Sequence, residues 1–268
     1  MKAPRFQEPW DRLSALIAAR DIIGIRRFLK VSPAGEVARA VSRVAGKARG
    51  ALLDLLGPED SAELLGNFSD AQAVEVIEEL DPEQAAAIIE ELSSAERADL
   101  LGELSQAGQA AILDRMPDAE ASDARQLLQY APDTAGGVMI TEYVSYPEDV
   151  TVADVVEDLW AYGEHYSDYE IQYAYIRGTD GTLVGVLRLR DLVLARPTLP
   201  VRDIMIEDPV RIPVEAGLDE LKRVFDSQPF FGVPAVDSNN RMVGVVRRAA
   251  VQEALGKRPQ RTSWRSAG

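Results

Sequence analysis

The feature that most constrains this chain is a twelve-residue repeat that runs without interruption from residue 57 to residue 128. Within each block, apolar side chains recur at the spacing of one helix face, as in Ile88, Ile89 and Leu92. A helix of about two turns is not stable alone in water, so the blocks must stack and share a core. The repeat therefore predicts a superhelix of short helices, wound to the right or to the left. The blocks are Gly57–Phe68, Ser69–Leu80, Asp81–Leu92, Ser93–Leu104, Ser105–Met116 and Pro117–Leu128.

Each block opens with a signal that favours the start of a helix. Pro82 occupies a first helical position, where its missing N–H costs nothing. Arg125 stands where earlier blocks have Leu or Ile, which is typical of a terminal repeat. These signals predict one short helix and one tight turn per block. Three blocks have the capping-box spacing, Ser69 with Gln72, Asp81 with Gln84, and Ser93 with Glu96.

The segment before the repeats is basic and helical in pattern. Residues 10–30 predict one helix, and residues 34–56 predict one or two. Nucleic acid or anionic lipid is one interpretation of its partner. No interleaved aromatic residues suit base stacking, and the acidic blocks that follow would repel phosphate. We therefore expect no nucleic-acid partner and expect this stretch to pack near the acidic blocks. Its cations are Arg26, Arg27, Lys30, Arg39, Arg43, Lys47 and Arg49.

Negative charge is concentrated in the repeats. The chain has a net charge of −15, distributed as +7 over residues 1–50, −20 over residues 51–150 and −2 over the rest. One interpretation is a solvated surface. The other is that crowded carboxylates, which are hard oxygen donors, attract divalent cations. The helical period places on the solvent side Glu75, Glu78, Glu79, Glu90, Glu91, Asp99, Glu103 and Asp114.

Composition excludes several classes of protein. The 268 residues suffice for two domains, and the absence of cysteine excludes a disulfide framework, a thiolate nucleophile and a zinc–sulfur site. No catalytic constellation or phosphate-cradling glycine loop is present, so we expect no enzyme. No stretch approaches the ~20 apolar residues that span a bilayer, and no signal peptide is recognisable, so we expect a cytoplasmic location. The only histidine, His165, lies in a loop and is expected to be solvated.

A short segment after the repeats predicts a domain junction at residues 131–137. Pro132 makes continued helix unfavourable beyond Ala131. The pair Gly136–Gly137 permits backbone angles closed to other residues. Such a segment can be a passive joint or a hinge.

Residues 138–256 contain a second, longer repeat. Each copy reads strand, helix, strand, turn, strand, helix. The short turn predicts a hairpin, and the helix between the first two strands predicts a parallel crossover. In the first and second copies the matching segments are Met139–Val144 and Met205–Val210, Thr151–Leu159 and Gly217–Phe225, Tyr173–Arg177 and Val233–Asp237, and Leu183–Leu187 and Met242–Val246.

Two tandem copies of this unit resemble a CBS-domain pair, chiefly through Val184–Leu192 and through Val233–Asp237 followed by Met242–Val246. Preceded by an acidic superhelix and by Tyr130–Met139, the chain resembles the cytosolic part of the MgtE family of magnesium transporters and channels. The resemblance runs from about Leu13 to Leu255. It implies an α + α/β fold: a helical domain at 1–130, a junction at 131–137, and CBS domains at 138–200 and 201–256. Residues 257–268 form a basic tail, and this is where the chain departs most from the family.

The resemblance implies a non-enzymatic magnesium sensor. In that family, acidic residues of the helical domain and the CBS pair face each other, and Mg2+ between them holds the domains together and closes a pore. Asp99, Asp219 and Glu253 match acidic positions of the family, although they could equally be plain surface charges. Arg247 and Arg248 add positive charge near the expected site. Carboxylates are missing where the family pattern has them at Ala95, Gly217, Pro229, Ala249 and Ala250.

The alternative is a stand-alone CBS adaptor that responds to adenine nucleotide and docks a partner protein through its helical domain. The positions that match the family's nucleotide cleft are Tyr173, Arg190, Asp191 and Phe230. An aromatic ring can stack on adenine, a carboxylate can accept from ribose, and a guanidinium can meet phosphate. Arg188 stands where a small hydroxyl residue is usual, Ala250 replaces the acid in the second copy, and both aromatic residues could equally be core.

Two kinds of partner follow from the resemblance. We expect a homodimer through the CBS domains. We also expect a membrane transporter domain, either in cis, with this chain a piece of a longer protein, or in trans.

Overall fold

The structure is a computed structural model that describes residues 8–164, 166, 169 and 171–257. His165 and residues 258–268 of the predicted tail lie outside the described residues. The chain divides into two units, Met1–Leu128 and Gln129–Gly268. None of the described helices combines the length and the apolar character that crossing a bilayer requires.

The first unit is built from short helices. They are α1 Pro9–Ala18, α2 Ile22–Val31, α3 Ala34–Arg43, α4 Gly46–Leu56, α5 Pro58–Leu65, α6 Asp70–Glu78, α7 Pro82–Glu90, α8 Ser94–Glu103, α9 Gln106–Leu113 and α10 Asp118–Leu127. The last six correspond one to one with the twelve-residue blocks. The first residue of every block is the N-cap of its helix: Gly57, Ser69, Asp81, Ser93, Ser105 and Pro117.

Two of the three predicted capping boxes are complete, at Ser69 and at Ser93. In the third, Asp81 accepts hydrogen bonds from the backbone N–H groups of Glu83 and Gln84. The Gln84 side chain does not return to Asp81. It donates instead to Asp54 Oδ1 on α4, at 2.7 Å. This hydrogen bond therefore links α7, a repeat helix, to α4, which precedes the repeats.

The predicted single helix at residues 10–30 is wrong, because the chain turns between α1 and α2. Arg20 adopts a positive φ of 51°, which a continuous helix cannot contain. Asp21 then caps α2 by accepting from the backbone N–H of Gly24 at 2.9 Å. A local aspartate cap outweighs the apolar period that runs across the break. Residues 34–56 form two helices, which was one of the two expected arrangements.

All ten helices contribute to one apolar core, as the stacking argument predicts. Leu13, Ile25, Leu52 and Leu101 have no residual exposure. Burying such a side chain contributes up to about 2–3 kcal/mol. In the last repeat, Arg125 points to solvent and lies 3.7 Å from Asp114. The final block thus exposes a position that earlier blocks bury, as a terminal repeat should.

The second unit combines helices with two sheets. Its elements are α11 Ala135–Val138, β1 Met139–Ile140, β2 Val144–Pro147, α12 Val152–Ala161, β3 Tyr173–Arg177, β4 Leu183–Arg188, α13 Leu189–Leu194, a 3-10 helix Val201–Asp203, β5 Ile206–Glu207, β6 Ile212–Pro213, α14 Leu218–Ser227, β7 Gly232–Val236, β8 Met242–Arg247 and α15 Arg248–Lys257. Lys257, expected to open the tail, ends α15 instead.

Each sheet is mixed and takes one strand from the start of the other copy. The first sheet has the order β2-β3-β4-β5 and the second β1-β8-β7-β6. In both, a parallel crossover pair is followed by an antiparallel hairpin, as predicted. The exchanged strands β1 and β5 pair with β8 and β4. The two copies are therefore interlocked through backbone hydrogen bonds, which local patterns did not indicate.

The register corrects one detail of the sequence alignment between the copies. Tyr173 pairs with Arg188, and Gly232 pairs with Arg247. The structural equivalent of Tyr173 is therefore Gly232, rather than the predicted Val233. With this shift of one residue, the strand pairings of the two hairpins match.

The junction segment is fastened to the second copy by backbone hydrogen bonds. Ala135 N donates to Ala216 O at 2.7 Å, and Gly136 N donates to Val214 O at 2.8 Å. Neither Gly136 nor Gly137 has a positive φ, so the proposed reason for the glycine pair is wrong. The reason is space. A Cβ on Gly137 would overlap the Ala131 carbonyl oxygen and lie 2.7 Å from Pro132 Cα.

Candidate functional site

The outer surface of the repeat helices carries the predicted carboxylates. Seven of the eight are exposed, and Glu90 is half-buried. Burial raises the pKa of Glu90, the negative charge of Glu120 raises it further, and Arg97 opposes both. Negative charge is thus already costly at one position of this surface. A bound cation would relieve such repulsion.

Two arginines of the basic segment meet this acidic surface. Arg26 lies 2.7 Å from Asp60, and the Arg49 guanidinium lies 3.5 Å from both Glu75 and Glu79. The side chain of Arg49 is only 6 % exposed. The expectation that the basic stretch packs near the acidic blocks is confirmed by these pairs. The burial of the Arg49 side chain in the helical core could not be predicted from the sequence, because Arg49 is one of a run of similar cations.

The three predicted metal ligands lie on different helices. Asp99 is exposed on α8 of the first unit, whereas Asp219 and Glu253 belong to α14 and α15 of the second. Asp219 lies in the first turn of α14, where negative charge also complements the helix dipole. Glu253 lies 3.3 Å from Lys257 Nζ. The described residues contain no group of three or more His, Cys, Asp or Glu side chains arranged to hold a metal ion.

Arg248 has a role that the sequence did not reveal. Its guanidinium donates to three backbone carbonyls, one in the last turn of α14 and two after it: Phe225 O at 2.7 Å, Gln228 O at 2.6 Å and Phe230 O at 2.9 Å. It also lies over the Phe225 ring, 5.1 Å from the centroid. These contacts fix the loop before β7. Because the three acceptors are neutral carbonyls, Arg248 keeps its positive charge while it serves this structural function.

Three of the predicted nucleotide residues share one end of the β3–β4 hairpin. Asp191 and Arg190 lie in the first turn of α13, and Tyr173 starts β3 opposite Arg188. Arg188 Nε donates to Asp191 Oδ2 at 2.7 Å. Arg190 Nε lies 3.6 Å from Asp191 Oδ1. Aromatic, cationic and carboxylate groups are thus gathered at one place.

The fourth nucleotide residue lies in the second copy. Phe230 precedes β7, and its carbonyl oxygen accepts from Arg248. Both Phe230 and Tyr173 are half-buried, so each ring retains an accessible part. Neither ring is wholly a core group.

A stacked helical repeat followed by two interlocked strand–helix copies defines a helical module joined to a tandem CBS pair. Comparison with protein families agrees. Residues 32–133 match the MgtE intracellular N domain, and residues 201–257 match the CBS domain.

Curated relatives point to the same family. The magnesium transporter MgtE of Bacillus subtilis (strain 168) is 33 % identical over 131 residues, and that of Thermus thermophilus is 35 % identical over 135 residues. These matches cover 49 % and 50 % of this chain, and 29 % of each relative. The matched region therefore spans less than a third of the length of either transporter.

Solved structures extend the likeness to most of the chain. The cytosolic domain of the Mg2+ channel MgtE in complex with ATP has a TM-score of 0.78 at 28 % identity, and the match covers 91 % of this chain and 99 % of that one. The soluble part of a magnesium transporter has the same fold, with a TM-score of 0.77 at 23 % identity over 92 % of this chain and 97 % of that one.

The chain is therefore homologous to the MgtE transporters and has the fold of the MgtE cytosolic domain. The predicted fold class, many short helices followed by a CBS pair, is confirmed.

Proposed function

We propose that this chain is a regulatory, non-enzymatic module of MgtE-type magnesium transport, in which Mg2+ controls the arrangement of the helical domain and the CBS pair. The observation that carries the proposal is the exposed acidic surface of a helical domain that is homologous to that of MgtE. Crowded carboxylates repel one another, and a divalent cation reverses that repulsion. An ion that binds one arrangement more tightly shifts the population toward it.

The side chains assigned to the ion are Asp99, Asp219 and Glu253. Their chemistry fits Mg2+, which takes hard oxygen donors and commonly combines one or two carboxylates with several waters. The Lys257 ammonium beside Glu253 would compete with the ion for that carboxylate.

Magnesium should raise the melting temperature of the chain. At ten times the dissociation constant, binding to the native state contributes about 1.4 kcal/mol, or roughly 3–5 °C for a chain of this size. Thermal unfolding followed by circular dichroism measures this, with NaCl at the same ionic strength as the reference. The variant D99N/D219N/E253Q should lose the shift.

A matched control removes the same charge elsewhere. Glu36, Glu157 and Asp203 are exposed acids in the two units, outside the proposed site. The variant E36Q/E157Q/D203N should keep the full magnesium shift. Equal melting in MgCl2 and NaCl, or equal losses in both triple variants, would contradict the proposed site.

We propose as a second candidate that the CBS pair binds adenine nucleotide, as in a stand-alone adaptor. Two observations favour it. The MgtE cytosolic domain that matches this chain was solved in complex with ATP. In this chain, Tyr173, Arg190 and Asp191 lie together at the end of one hairpin. Isothermal titration calorimetry with ATP, ADP and AMP tests this candidate, and an absence of heat with all three would exclude it.

The proposal includes two partners and a location. Homodimerisation through the CBS domains is supported by exposed apolar side chains in the second unit, which include Trp160 on α12 and Val193 and Leu194 on α13. Apolar side chains of this size commonly mark interaction surfaces when they cluster. A membrane transporter domain, in cis or in trans at the cytoplasmic face, would be the regulated partner.

A further inference from the structure

The carboxylate of Asp191 is already engaged within the chain. Its Oδ2 accepts a 2.7 Å hydrogen bond from Arg188 Nε, and its Oδ1 lies 3.6 Å from Arg190 Nε. The Asp191 side chain is 23 % exposed, whereas the Arg190 side chain is 71 % exposed. The most accessible charged group of this cluster is therefore a cation rather than the carboxylate.

We propose that Arg188 is a specificity-determining residue of the nucleotide site, because it occupies the carboxylate that a ribose would use and adds a cation for phosphate. This inference rests on the second candidate function, nucleotide binding by the CBS pair. The chain would then bind nucleoside polyphosphates in preference to nucleosides.

A ribose and a phosphate meet different costs at this cluster. A ribose hydroxyl must displace a charge-assisted hydrogen bond from Arg188 before it can donate to Asp191. A phosphate does not have to break that bond, since the Arg190 side chain is 71 % exposed and is paired with Asp191 only at 3.6 Å, and the three charges sum to a net positive cluster. Guanidinium groups bind phosphate oxygens well, in part through bidentate geometry. Arg188 therefore disfavours the nucleoside end of the ligand and favours its phosphate end.

The test is calorimetry with adenosine, AMP and ATP on four variants: Arg188→Ser, Arg190→Ser, Asp191→Asn and the double variant R188S/D191N. Arg188→Ser should raise adenosine affinity about tenfold, since a freed charged acceptor is worth one to two factors of ten. The same change should lower ATP affinity severalfold. Arg190→Ser should weaken ATP and leave adenosine unchanged.

Asp191→Asn alone should change adenosine affinity less than twofold, because Arg188 already holds the carboxylate. In the R188S background the same change should remove the whole tenfold gain. Arg202→Ser is the matched control, because Arg202 is an exposed arginine of the same unit whose side chain is 55 % exposed. It should alter neither affinity.

The outcomes separate the two proposals. If wild type and R188S bind adenosine and ATP with the same affinities, the inference about Arg188 is wrong and nucleotide binding stands. If no variant binds any of the three ligands, the nucleotide site itself is absent and the inference falls with it. A circular dichroism spectrum of each variant checks that the fold is retained.

Discussion

Replacing Gly137 with alanine is expected to destabilise the second unit by about 3 kcal/mol. The added methyl would overlap the Ala131 carbonyl oxygen and lie 2.7 Å from Pro132 Cα. Both are backbone atoms, so no side-chain rotation relieves the overlap. The displaced segment would also strain its hydrogen bonds to Val214 and Ala216. Urea unfolding followed by circular dichroism, with hydrogen exchange to assign the loss to the second unit, measures the effect.

Gly256→Ala is the matched control. Gly256 lies in α15 of the same unit, and a Cβ there would meet no atom within 4 Å. Alanine should leave stability unchanged or raise it by about 0.5–1 kcal/mol, because glycine is a poor helix former. If the two glycine variants unfolded at the same urea concentration, the close backbone approach at the junction would be refuted.

Replacing Arg248 with alanine should cost about 2–4 kcal/mol. Its three hydrogen bonds to the carbonyls of Phe225, Gln228 and Phe230 involve a charged donor, and such bonds contribute about 1.5–3 kcal/mol each when they are well buried. We expect a cost below the sum of three such bonds, because the hydrogen bond to Gln228 O is exposed to water. Amide hydrogen exchange should quicken in α14 and β7, the elements that the loop connects.

Arg223→Ala removes an arginine from α14 that makes one long hydrogen bond, 3.3 Å to Asp219 O. It should cost no more than about 0.5 kcal/mol. Arg248→Lys should recover only part of the loss, since one ammonium group cannot reproduce the fork of the guanidinium. If Arg248→Ala kept the wild-type amide exchange rates in α14 and β7, the loop between these elements would not depend on the Arg248 side chain.

The helical domain could be predicted closely because its signals are local. The six N-caps fall on the first residue of each block. Four of them, Ser69, Asp81, Ser93 and Ser105, carry a side-chain oxygen, and a capping oxygen and the helix that it starts are neighbours in sequence. The prediction failed at Arg20, where a short-range cap at Asp21 interrupts a longer apolar period. Both outcomes follow from the same chemistry.

Long-range pairing could not be predicted in the same way. The exchange of β1 and β5 between the sheets depends on pairing between residues 20 to 107 positions apart, from Val186 with Ile206 to Met139 with Val246. The register shift at Gly232 and the ion pair between Arg188 and Asp191 were likewise visible only in three dimensions. The sequence identified Asp191 as a candidate ligand residue but not the neighbour that occupies it.

Asp99, Asp219 and Glu253 were chosen by resemblance, and their role stays a prediction. Arg248 adds positive charge to this region, as the sequence indicates, and its hydrogen bonds to backbone carbonyls also hold the loop before β7.

Small-angle X-ray scattering of the chain in millimolar MgCl2, with NaCl at equal ionic strength as the reference, tests the magnesium-controlled domain arrangement most directly. We predict a smaller radius of gyration in MgCl2, and no such change for D99N/D219N/E253Q. Superimposable scattering curves for the wild-type chain in the two salts would contradict the proposed sensor.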